Sequence, residues 1–399
     1  MNRLLIILLI LASFTTPIQA DKPVQKTETT PKSTALDRSA YFKKMDDEIY
    51  MFNTKKIYKE DKSKGDFCNY WLGEKNSLFY SRSVFDKDDA IIETLYKVDL
   101  DNIIEWEYTP NKDFYFESVF FGNKNVYALL RSYDDFYYDL LCLSSDGKEK
   151  WTKKIQLQQN PEAEVESCYA KACPDGFILA IKNEYYTNPN NEDDVKQIKD
   201  LYIQKYDFEG DLLWEKDISP VGDKSFAIDY KVKLYTTKKD IYVSYVLSEE
   251  TKESEEDSSL TLHERTLLAL TSKGEIKTSN KVKFYSSLYD NGDILYMDDD
   301  MFFYTIGEDN NLVKINKDLD ILAKTTLSNV KSPSYFIPCK SGMCISYDND
   351  EIDWARKFDY FLKPIKTKDE FLYNITLYYF SPAYLGQVDG KTIIAEKVD

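Results

Sequence analysis

The chain holds one histidine, 13 glycines and no Cys-Cys dipeptide among its 399 residues. His263 stands between Leu262 and Glu264 beside a Ser/Glu-rich insert, so a surface histidine is expected and a Ser-His-Asp or Cys-His arrangement has little to draw on. Glycine is too sparse for a phosphate-cradling loop. Basic residues are also short: 52 Lys and Arg face 69 Asp and Glu, for a formal net charge of −17. Nucleic-acid binding rests on cations that neutralise phosphates, and this balance argues against nucleic acid as a partner. After the N-terminus no stretch approaches the ~20 consecutive apolar residues that cross a bilayer, so no transmembrane segment is expected in the mature chain.

What is present begins with a secretory pattern over residues 1–20. Arg3 gives a positive start, Leu4 to Phe14 an apolar run too short to span, and Ile18-Gln19-Ala20 a small residue at the cut. Cleavage there removes one arginine and no acid, leaving the mature chain at −18. Residues 21–40 contain Thr, Lys and Pro with almost no apolar content and read as a flexible leader. Residues 41–399 then form a single domain, too long for one ordinary core but natural for a ring of small sheets. Export to the periplasm or the cell exterior lets the six cysteines oxidise. Cys168 and Cys173 share a spacing with Cys339 and Cys344, and each pair falls in an expected hairpin. They read as two cross-hairpin disulfides, with Cys68 and Cys142 pairing or staying free. The competing reading is a metal site, which needs four Cys or His ligands and would have to join the two distant pairs.

A glycine–tryptophan unit recurs along the chain. Leu143 to Trp151, with Gly147 in the middle, aligns residue for residue with Tyr206 to Trp214, with Gly210 in the middle. Weaker copies run from Val98 to Trp106 with Asn102 in the glycine slot, Leu270 to Thr278 with Gly274, and Ile315 to Ala323 with Leu319. A period of roughly 40–50 residues, each unit holding several short strands, is the mark of a β-propeller. Each copy reads as a hairpin: glycine supplies a positive φ for the turn, and tryptophan adds buried area on the outgoing strand. Asn102 tolerates that conformation, whereas Leu319 does not adopt it cheaply.

The fold expected is all-β, a propeller of seven four-stranded blades, with six or eight as alternatives. Cuts after each outermost strand give blades at 65–109, 110–157, 158–219, 220–284, 285–328 and 329–368. The remainder, including Phe371 to Phe380 and Lys391 to Ala395, is one strand short, and Ile49 to Tyr58 supplies it and closes the ring.

Acids recur at one point of the blades, between the second and third strands. They include Asp88 and Asp89, Asp134 and Asp135, Asp193 and Asp194, and Asp348, Asp350 and Asp353. In a propeller these connections emerge on one face, which makes that face the candidate binding surface. Solvated loops that only keep the protein soluble are the other reading. The run from Tyr347 to Trp354 spaces acids as oxygen ligands for calcium, yet lacks the glycine and distal glutamate of a helix-loop-helix site.

With Gly147/Trp151, Gly210/Trp214, Trp106 and Gly274 in place, the chain resembles the pyrroloquinoline-quinone-type (PQQ-like) β-propeller repeats, whose outer hairpins carry Asp-x-x-Gly-x-x-x-Trp-like units. The quinone enzymes of that superfamily use adjacent cysteines and a calcium-bearing site. Without the dipeptide, the resemblance implies a non-catalytic exported member with no cofactor. The function read from this is a binding or scaffolding module for a protein or glycan partner. The alternative is a secreted hydrolase or glycan-acting enzyme that uses carboxylates at the central channel.

Overall fold

The computed structural model describes the chain between residues 51 and 398, apart from 58–65, 73–77, 86, 88–90, 99–103, 112–113, 134–136, 159–164, 188–195, 223–224, 227–231, 249–260, 287–294, 298–300, 328–332, 340–341, 349–352, 360, 365–369, 373–374, 381–382 and 389–390. The signal and leader expected at residues 1–40 lie outside the described residues.

The strands pair in chain order as antiparallel meanders. Blade I comprises Asp66–Leu72, Leu78–Phe85, Ile91–Val98 and Ile104–Tyr108. Blades II to VI follow over 114–154, 167–217, 225–286, 295–326 and 333–372. A last sheet, blade VII, joins Ile375–Phe380, Ala383–Val388 and Lys391–Val398 to Met51–Ile57, with Met51 opposite Val398. The N-terminal strand therefore completes the C-terminal sheet, as the missing strand there requires, and covers an edge that would otherwise invite pairing. First strands of successive blades lie side by side from I to IV and again from V to VI. The described strands form seven such sheets, and the molecule is a β-propeller.

Two details add to the sequence reading. Blade VI does not end at residue 368: Glu370–Leu372 closes it against Asp353–Asp359, and Ile375–Phe380 opens blade VII. Apolar and aromatic residues on both sides of Asn374 give no change of period by which a change of sheet can be read. In blade IV the first strand comes in two pieces, Ser225–Phe226 and Lys233–Thr236, both paired with Asp240–Ser248.

Cores lie between neighbouring blades. In the second strand of blade II, Val126, Ala128 and Leu130 pack toward blade I, while Tyr127 and Leu129 pack toward blade III. In blade III, Phe177 and Leu179 face blade II while Ile178 and Ala180 face blade IV. Strand alternation thus feeds two cores at once, so second and third strands read as continuous apolar runs. Outer strands such as Glu149–Lys154 and Ile321–Thr326 bury one side only.

The recurring unit joins blades rather than building one hairpin. Five hairpins share a turn opened by Ser144, Asp207, Thr271, Asn316 or Asp359, whose side-chain oxygen accepts the N–H four residues on. The opening residue's carbonyl also accepts the N–H of the residue three on, at 2.9–3.2 Å. That third position is left-handed in all five: Gly147, Gly210, Gly274, Leu319 and Leu362, with φ of 82, 77, 82, 66 and 61°. At three seams the previous blade's tryptophan lies on the glycine. A Cβ would stand 2.6 Å from the Trp106 ring at Gly147, 2.7 Å from Trp151 at Gly210 and 2.9 Å from Trp214 at Gly274. Trp106 and Trp214 also donate Nε1–H to the next blade's turn, at Ser145 and Ser272 carbonyls, both 3.0 Å.

Where the tryptophan is replaced by Thr278 or Ala323, the facing slot holds leucine. Leu319 and Leu362 are each only 2% exposed and enter the cores of the IV/V and V/VI seams, with Ala323 packed beside the Leu362 cluster. Leu319 thus takes the left-handed conformation in spite of its cost. A left-handed leucine costs about 1–2 kcal/mol, and burying its side chain returns about 1.5–3 kcal/mol.

The cysteines also differ from expectation. Cys168 and Cys173 stand on one strand, Ser167–Cys173, not across a hairpin. Five residues of extended chain separate their Cα atoms by roughly 16 Å, far beyond the ~7 Å limit of a disulfide. Both are free thiols, as is buried Cys142. Cys339 and Cys344 do lie on paired strands, but Cys339 opposes Gly342 and Cys344 opposes Ile337, two register positions apart.

Candidate functional site

The antiparallel meander puts every second-to-third-strand connection at one end of the molecule, together with the beginnings of the first strands. Asp88, Asp89, Asp134, Asp135, Asp193, Asp194 and Asp350 lie outside the described residues. Asp348 and Asp353 are strand residues opposite one another at the tip of the blade VI hairpin, so the connection there is shorter than the sequence suggests. In blade V the connection is a single turn with Glu308 and Asp309 exposed. Among the described residues no three His, Cys, Asp or Glu side chains gather to hold a metal ion.

His263 is not on the surface. It lies in the third strand of blade IV, paired in register with Ser248 and Phe284, and is 4% exposed. Its ring is 5.3 Å from that of Phe284, over which the Arg265 guanidinium also sits at 5.5 Å. Burial first, and Arg265 second, push its pKa below the ordinary histidine value.

Where the first strands of blades I and II begin lies a cluster that sequence patterns did not reveal. The first strand of blade II carries a bulge between Phe116 and Ser118, which leaves Glu117 without a partner across the strand. Blade I holds the bulge from both sides. The buried Glu93 carboxylate accepts the Phe116 N–H at 3.0 Å, and Asn69 Nδ2 donates to the Phe116 carbonyl at 3.5 Å. Asn69 lies in a bulge of its own strand, its N–H donated to Ser81 Oγ at 3.3 Å.

Around Glu117 stand tyrosines and one cation. The Arg131 guanidinium lies 5.8 Å from the Tyr115 ring and 5.7 Å from that of Tyr138, and Tyr115 packs on Tyr133 at 4.8 Å. Burial pushes the Tyr115 phenol up to about 12, and burial again, with Glu117 adding, does the same to Tyr169. Cys168 is raised by burial and then by Glu117. Cys168 packs toward blade II and Tyr169 toward blade IV, on opposite faces of one strand. Glu117 in turn helps hold the Arg131 guanidinium charged, behind the larger effects of burial, which opposes that charge, and of Tyr138 and Tyr115.

Two residues beyond Tyr169, Lys171 is exposed although it lies on the first strand of blade III. Protein crowds it nonetheless, and burial lowers its pKa with no charged partner contributing. The signal for this cluster was a pair of charged residues inside first strands that otherwise read as core.

No family model matches the chain, and no curated protein matches it. Among solved structures it is similar to "BamB from Moraxella catarrhalis" at 10% identity, covering 86% of this chain and 99% of that one with a TM-score of 0.42. It is similar to BBS1N in its complex with ARL6DN at 8% identity, covering 88% and 98% with a TM-score of 0.45. It is also similar to the polysaccharide lyase Uly1 at 9% identity, covering 86% and 92% with a TM-score of 0.45. The architecture stated above rests on strand order and seam packing in this chain.

Proposed function

We propose that this protein is an exported, non-catalytic propeller of the PQQ-like repeat type, and that it binds a basic partner or divalent cation through its acidic end. The N-terminal 20 residues support export, and the Gly147/Trp151 and Gly210/Trp214 units support the repeat type. What supports the binding reading is positional in sequence: the segments between the second and third strands of six blades carry acids although they differ in length and sequence. Like charges gathered there repel one another, and a cationic partner would relieve that repulsion. Long-range attraction of this kind weakens as salt shortens the screening length below its physiological ~8 Å.

The test uses mature protein titrated with a lysine-rich peptide and, separately, with calcium, at rising salt. Binding should fall with salt, and the combined variant D193N/D194N/D348N/D350N should bind at least about tenfold more weakly, as expected from loss of several charge contacts. Equal affinity of variant and wild type would return these acids to a role in solubility.

A further inference from the structure

Two aromatic rings stand exposed at equivalent places in blades I and II, and each is followed in the chain by an aspartate: Phe85-Asp86 and Tyr133-Asp134. We infer that these rings are where a basic partner docks, and that each takes an arginine side chain of a peptide against its face. The inference rests on the proposed binding of a basic partner, and names the side chain recognised and the place that recognises it.

The equivalence follows from register. Val98 and Leu143 open the recurring units of blades I and II, and Leu78 lies opposite the first as Val126 lies opposite the second. The same step along each second strand, from 78 to 85 and from 126 to 133, arrives at Phe85 and Tyr133. They are 67% and 41% exposed. In blades III, IV and V that place holds Glu184, Ser248 and Asn310, so the rings are particular to two neighbouring blades. A single exposed ring needs no explanation, but two in equivalent places of adjacent blades mark an interaction surface.

The surroundings select the occupant. Blade II already lays cations on its own tyrosines at this end: Lys154 Nζ is 4.3 Å from the centre of the Tyr137 ring, and Arg131 is shared between Tyr115 and Tyr138. Tyr133 packs on Tyr115 at 4.8 Å, which steadies its ring while much of it still meets water. A ring steadied in advance loses less freedom when a partner arrives. Charge complementarity supplies the rest. After Phe85, Asp86, Asp88 and Asp89 outnumber Lys87, and Asp134 and Asp135 follow Tyr133. A guanidinium answers both features, because its flat face stacks on a ring while its N–H edge donates to carboxylates. An ammonium meets the acids but stacks less well, and an apolar side chain leaves the acids unanswered.

The experiment titrates the mature protein at low salt with two decapeptides of equal charge, one alternating arginine with glycine and one alternating lysine with glycine. The arginine peptide should bind with a Kd below about 1 mM and at least about threefold tighter than the lysine peptide. The double variant Phe85→Leu/Tyr133→Leu keeps apolar bulk but removes both ring faces. It should weaken the arginine peptide about fivefold or more and abolish the preference over lysine. Phe361→Leu alters a ring that is 78% exposed but followed by Leu362 and not by an acid, and should change nothing. If Tyr133→Leu lowers the unfolding temperature, Phe85→Leu alone takes its place and should weaken the arginine peptide about twofold. Wild-type affinity in the ring variants overturns the inference, and if D193N/D194N/D348N/D350N still weakens both peptides, binding by the acids stands without it. Equal affinity of the two peptides for the wild type overturns the choice of arginine and the inference with it. Failure of both peptides to bind the wild type overturns both readings.

Discussion

The seams from blade I to blade IV and those from blade IV to blade VI solve one packing problem in two ways. In the first group a tryptophan reaches forward and glycine leaves room for it: Trp106 on Gly147, Trp151 on Gly210 and Trp214 on Gly274. In the second the reaching residue is small, Thr278 or Ala323, and the left-handed slot supplies the volume as Leu319 or Leu362. The two members of each pair lie on different blades, far apart in sequence, yet they change together. What the seam requires is a filled space above a turn of fixed geometry, and either partner can fill it. The hydrogen bonding follows the same logic. Two residues after the forward position, Lys153 Nζ donates to the Gly210 carbonyl at 2.9 Å, and Asn280 Nδ2 donates to the Leu319 carbonyl.

The largest way to break the comparison is to give a tryptophan seam a leucine. Gly210→Leu would drive a side chain into the Trp151 ring, whose nearest atom stands 2.7 Å from the added Cβ. Overpacking and a left-handed leucine together should cost about 3–4 kcal/mol, read as a lower urea midpoint with little change in slope. A variant as stable as wild type would mean the ring simply swings away and the seam is not filled.

The reverse change should cost less. Leu319→Gly empties a buried site but relieves a left-handed leucine, for a net loss of about 2 kcal/mol. Adding Thr278→Trp should then restore at least about 1 kcal/mol, because the new ring can occupy the vacated space as Trp214 does over Gly274. Additivity of the two substitutions would show that the IV/V seam is shaped by its own neighbours and not by the shared turn.

Much of the fold was legible because the chain repeats itself. The glycine–tryptophan spacing marks the outer hairpins, and one missing strand at the C-terminus points to residues near 51–57. The role of the tryptophan was not legible, since nothing local tells a ring packed in its own hairpin from one laid on the next. Leu362 escaped notice because neither glycine nor tryptophan marks its turn, although Asp359 opens it as Asp207 opens another. The Cys168–Cys173 reading failed because two cysteines five apart look alike whether a turn or a strand runs between them. The acids between strands could be found by counting, whereas the bulged Glu117 could not. A charge inside an inner strand stands out only once the strand is known to be innermost and its bulge is seen.

The smallest expected effect concerns the other end of the IV/V seam and is a dependence on pH. His263 entered the core because the third strand of blade IV starts at Thr261, so the charged run His263-Glu264-Arg265 belongs to a strand and not to the acidic insert before it. Burial and the nearby Arg265 hold its pKa below the ordinary 6.5, so the folded protein takes up this proton less readily than the unfolded chain does. The associated stability is complete above about pH 6.5, where both states are neutral at this site. It is lost as the pH falls from there through the lower folded-state value, a window that opens above the range where most carboxylates titrate. Urea midpoints measured between pH 7.5 and 5.5 should therefore decline in the wild type and decline less in His263→Phe, which keeps a ring beside Phe284 but has no proton to gain. Parallel slopes in the two proteins would assign the decline to carboxylates elsewhere and leave His263 as a packing residue alone.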